Sequence, residues 1–69
     1  MTIEMLPFFL DFLDKYGIAH RQGKGQWEVM QIMTADHGWQ VIHKNKQNRL
    51  SIPDSLQNLV EQFNDYINS

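Results

Sequence analysis

Sixty-nine residues with no cysteine make a single domain, residues 1–69, with a narrow stability margin and no disulfide to reinforce it. A composition 42% hydrophobic and 20% charged excludes a disordered chain. The net charge of −2 is polarised: residues 20–50 sum to +3, while residues 1–19 and 51–69 sum to −2 and −3.

The first predicted element is a helix. Leu6, Phe9, Leu10, Leu13 and Tyr16 follow the i, i+3, i+4, i+7 spacing, Pro7 suits a first turn, and Gly17 suits the stop. Phe8 and Phe12 fall on one flank of this stripe, and the apolar arc spans roughly 200°, wider than one helix face needs. An interface is therefore expected on this flank or on the sheet face that the helices leave free. The cluster Met5 to Leu10 follows Glu4 rather than a basic segment, so it does not read as a secretory leader. It is also far shorter than the about 20 residues a bilayer span takes. With Met1 at its start and no tag, the chain reads as a complete small open reading frame. The lack of cysteine fits a reducing compartment, and a cytoplasmic protein with no membrane contact is expected.

Arg21 to Gln26 reads as a flexible loop. Trp27 to Thr34 has strand composition, Asp36-His37-Gly38 has turn chemistry with Gly38 at a left-handed position, and Trp39 to Lys44 reads as the returning strand. Asn45 to Asn48 forms a second polar turn, and Arg49 to Ile52 a short third strand ended by Pro53. Alternation sends Trp27, Val29 and Met33 to one side and Met30 and Ile32 to the other. The last helix carries Leu56, Leu59, Val60, Phe63, Tyr66 and Ile67 on one stripe, with Asp54 in its first turn. The expected class is α+β: helix, three-stranded antiparallel sheet, helix, with both helices packed on one sheet face. The other face is then open, to be covered in part by Tyr16, Ile18 and the loops or else buried by a partner.

No motif here carries chemistry. His20, His37 and His43 have no metal-ligand spacing, so neither a metal nor another cofactor is expected. Ser51 and Ser55 lack an evident histidine partner, and no catalytic residue is assigned. Gly23-Lys24-Gly25 is a connector rather than a phosphate loop, because no strand leads into it and no helix follows. What remains is the basic cluster Arg21, Lys24, Lys44, Lys46 and Arg49, with Trp27 or Trp39 beside it. In a meander the start of the first strand, the end of the second and the second turn lie together. All five cations should therefore gather at one end of the sheet, opposite Asp36 and His37.

The helix–three strands–helix order resembles the double-stranded-RNA-binding domain and the mRNA-cleaving toxins of the HicAB type. That resemblance is topological. The RNA-binding domain presents lysines at the start of its last helix, where this chain has Pro53-Asp54-Ser55 and no cation follows. The toxins place a histidine where this chain has Gly25-Gln26-Trp27. Small acidic chains of this kind also resemble phage or mobile-element accessory products that block host machinery. The expectation is a non-enzymatic protein–protein interaction module, a regulator or inhibitor, homodimeric or bound to a protein with an acidic patch. The alternative is weak nucleic-acid binding through the basic end.

Overall fold

The computed structural model describes residues 1–69. A single 3₁₀ turn, Ile3–Met5, leads into α1, Leu6–Lys15, with Pro7 in its first turn. The helix stops at Gly17, whose φ of +67° is costly for any residue with a Cβ. The Ile18 N–H reaches the Leu13 carbonyl at 2.9 Å and the Gly17 N–H reaches that of Asp14 at 3.2 Å, which satisfies two carbonyls of the last turn.

Four antiparallel strands follow, not three: β1, His20–Gln22; β2, Glu28–Thr34; β3, Gly38–Lys44; and β4, Leu50–Ser51, adjacent in chain order. The additional strand is β1, cut from the segment expected to be a loop. It lies on the outside of β2, with His20 opposite Ile32, Arg21 opposite Gln31 and Gln22 opposite Met30. The element order is therefore helix, four strands, helix, which departs from the three-stranded order of the RNA-binding fold. Gly38, at φ +70°, opens β3 after the β2–β3 turn.

At the far side of the sheet Thr2 bridges Arg49. The Leu50 N–H donates to the Met1 carbonyl and the Ile3 N–H to that of Asn48, both at 2.9 Å. The outward carbonyl of Thr2 is taken by the Met5 N–H at 3.1 Å.

After Pro53 a 3₁₀ turn, Asp54–Leu56, leads into α2, Gln57–Ile67. The core is one cluster: Phe9, Phe12 and Leu13 of α1, Leu56 and Phe63 of the last helical segment, and Met30, Ile32, Ile42 and Leu50 of the sheet. Cross-strand partners share a face, so these sheet residues lie with His20, Gln22 and Gln40 on the helix side. Gln40 is bonded there by the Ser55 hydroxyl at 2.7 Å.

Two sequence expectations change. The alternation of β2 is broken by a bulge between Glu28 and Met30. Val29 consequently packs against the core on the helix side instead of joining Met33. Phe12 is not an exposed flank residue: it is 3% exposed, whereas Phe8 is 58% exposed. The two share one side of α1, but α2 covers only the part of it that holds Phe12. The Phe12 ring lies 5.5 Å from that of Phe63 and 5.3 Å from that of Tyr66.

Candidate binding surface

The face of the sheet turned away from the helices carries Arg21, Glu28, Gln31, Met33, Trp39, Val41, His43 and Ser51, all paired across the strands. No helix covers it. Tyr16 and Ile18, which could have shielded it, lie instead at the ends of the helices. There, with Phe12 and Tyr66, they line a groove of about 440 Å³.

Arg21 organises the open face. Its guanidinium carbon lies 3.9 Å from the centre of the Trp39 ring, a close cation–π stack. Its Nε–H donates to Gln31 Oε1 at 2.6 Å, and Gln31 Nε2 donates in turn to Glu28 Oε1. Gln31 is only 6% exposed, a buried amide with both ends bonded, so the chain Glu28–Gln31–Arg21–Trp39 is fixed at both ends. Met33, directly opposite Trp39, is 39% exposed. This part of the face thus combines a held guanidinium, an indole and an exposed thioether.

No carboxylate pairs with Arg21. The one contact at salt-bridge distance is between His20 Nε2 and Asp14 Oδ1 at 3.3 Å, so all six Lys and Arg side chains lack an acidic partner. Arg21→Ala should uncover the Trp39 indole, red-shift tryptophan emission and lower stability by about 0.5–1 kcal/mol. Unchanged emission would mean that the stack does not persist in solution.

The five cations do not all converge. Lys24 lies in the β1–β2 loop, Lys44 ends β3, and Lys46 and Arg49 lie in the β3–β4 connection. The Lys44 N–H donates to the Trp27 carbonyl at 2.9 Å, which places the two connections at the same end of the sheet. Arg21 is the exception. Because residues 20–22 pair with β2, Arg21 is carried opposite Gln31 and stacks on Trp39, next to the β2–β3 turn. Trp27, 45% exposed, stays with the basic end, while Trp39 belongs to the open face. The signal that sequence reading missed was Gln31, a polar residue within an apolar strand whose burial needs a partner on each side.

The histidines also stay apart. His20 Nδ1 is bonded to the Ile18 carbonyl at 2.8 Å, His37 lies in the β2–β3 turn and His43 lies on β3. No group of three or more His, Cys, Asp or Glu side chains is placed to hold a metal ion. No helix is long and apolar enough to cross a membrane.

Fold and surface together define a small α+β domain with a four-stranded antiparallel sheet open on one face. Compared with protein-family models, with curated proteins and with solved structures, the chain matches none.

Proposed function

We propose that this is a non-enzymatic protein–protein interaction module, a cytoplasmic regulator or inhibitor of the phage or mobile-element accessory type, acting through the open sheet face on a partner with an acidic patch. The observation that carries this reading is Arg21 held on Trp39. Arginine and tryptophan are the residues that most often dominate binding energy at interfaces, and here the arginine is already fixed by Gln31 and lacks a carboxylate. Pre-fixing the side chain reduces the ordering cost of association. Exposed Met33 beside it adds adaptable apolar area.

Affinity capture from the cells that express the chain tests this. The native protein should retain one discrete partner, and both Arg21→Glu and Trp39→Ala should lose it while remaining folded. Equal retention by all three would remove the open face from the interaction. The homodimeric form of the same reading predicts a sedimentation coefficient that rises with concentration and stops rising in Arg21→Glu.

A second reading, weak nucleic-acid binding, draws on Lys24, Lys44, Lys46 and Arg49 at one end of the sheet with no acidic partners. Binding through several phosphates should weaken steeply with salt. Labelled single- and double-stranded RNA and DNA, titrated at two salt concentrations, decide it, and no binding at the lower one removes it.

A further inference from the structure

The sheet has one uncovered edge, and its chemistry specifies what can lie along it. The Met33 N–H donates to the Ala19 carbonyl and the Gly23 N–H to the Val29 carbonyl. In an antiparallel ladder these bonds alternate along a strand, so Ala19, Arg21 and Gly23 turn their main-chain groups toward β2. His20 and Gln22 turn theirs outward. No strand pairs on that side, because β1 ends the strand order. Along the same edge is a groove of about 430 Å³, floored by Leu6 and Leu10 of α1 with Val29 and Met30 of β2, and rimmed by His20, Arg21 and Gln22 of β1. On the opposite face Arg21 rises from the same strand, its guanidinium leaning inward onto Gln31 and Trp39 and without a carboxylate.

The geometry points to β1 as a docking strand for an extended peptide of the pattern apolar–acidic–apolar. The inference rests on the protein-binding reading and locates the contact at the sheet's edge. An added antiparallel strand takes its main-chain bonds from His20 and Gln22, and its side chains alternate between the faces. Residues opposite His20 and Gln22 fall on the helix side, over Leu6 and Leu10, and are apolar. The residue between them falls beside Arg21 and is Asp or Glu, supplying the charge that this guanidinium lacks. A second copy of the chain fits less well. The register that pairs all three residues of β1 with themselves sets Arg21 against Arg21 of the other copy, and like charges directly opposite repel.

The probe is a set of blocked pentapeptides, Thr-Val-Asp-Val-Thr and its Ile, Leu and Phe counterparts, each with a Lys-centred control, titrated into the ¹⁵N-labelled protein. The expected result is a shift of the His20 and Gln22 amides, slowed hydrogen exchange at both, and affinity at least about tenfold greater for the acid-centred peptides. Gln22→Pro removes the outward N–H without touching the ladder to β2, as proline on an edge strand does, and should weaken binding by about tenfold or more. Should that variant fail to fold, an N-methyl group on the peptide residue opposite Gln22 deletes the reciprocal bond, from the peptide N–H to the Gln22 carbonyl, and should give a comparable loss. The inference is overturned by unshifted His20 and Gln22 amides at about 1 mM peptide, by equal affinity for the Lys-centred controls, or by protection of β1 that rises with protein concentration alone. Capture of a partner that depends on Trp39 but survives Gln22→Pro would overturn the edge site and leave the interaction reading standing.

Discussion

Phe12→Ala is expected to lower stability by about 3–5 kcal/mol, the range for removing a fully buried aromatic ring from a packed core. A domain of 69 residues has roughly 4–10 kcal/mol to lose, so the variant should be partly unfolded without denaturant. The size of the effect follows from position. Phe12 packs on Phe9, Phe63, Tyr16 and Tyr66, with ring centres 6.2, 5.5, 5.1 and 5.3 Å away, so its loss empties the junction of the two helices. Phe8→Ala is the matched control, one turn earlier and 58% exposed, and should change stability by no more than about 0.5 kcal/mol. Urea unfolding of the two variants measures the contrast directly. Similar midpoints would mean that α2 does not cover Phe12 in solution.

Gly23→Ala is expected to cost at least about 2 kcal/mol, although Gly23 sits in a stretch that reads as a flexible connector. A Cβ at this position would stand 1.9 Å from the Glu28 carbonyl oxygen and 2.5 Å from its carbon. Both atoms are backbone, and they belong to the bulge that opens β2, so neither can swing aside as a side chain would. The Gly23 N–H is also tied to the Val29 carbonyl at 3.1 Å, holding the two segments at that distance. The only relief is for the β1–β2 loop to lift, which pulls β1 off the sheet. Hydrogen exchange should therefore quicken at the Arg21 amide well before it does at Ile42. Gly25→Ala, at φ +83° but in open space, should cost only about 1–2 kcal/mol and leave β1 protected. Equal costs for the two glycines would mean that the close approach is relaxed in solution.

The helices and the hairpin were readable because their determinants are local. The stripe from Leu6 to Tyr16, the stop at Gly17, the turn before Gly38 and the stripe from Leu56 to Ile67 each announce themselves within a few residues. β1 was not readable. His20-Arg21-Gln22 has no hydrophobic alternation to display, and what makes it a strand is an edge of β2 ten residues away. The bulge was hidden for a related reason: Glu28, Val29 and Met30 alternate in sequence, and only the pairing of Glu28 with His43 and of Met30 with Ile42 shows that Val29 is skipped. The candidate surface divides along the same line. Lys24, Lys44, Lys46 and Arg49 follow from the meander alone, whereas the Arg21–Trp39 stack depends on β1 and could not be derived without it.

The bridge between Thr2 and Arg49 sets a limit on how this protein can aggregate. With Met1 to Ile3 laid against β4 and the Thr2 carbonyl already occupied, the sheet can be extended from one side only. A body with a single sticky edge can join one other and then stops, so edge-to-edge association ends at pairs. Removing residues 1–3 gives each molecule two such edges, and a chain of molecules then has no reason to terminate. The first three residues are, on this view, what separates a protein that can at most dimerise from one that can polymerise.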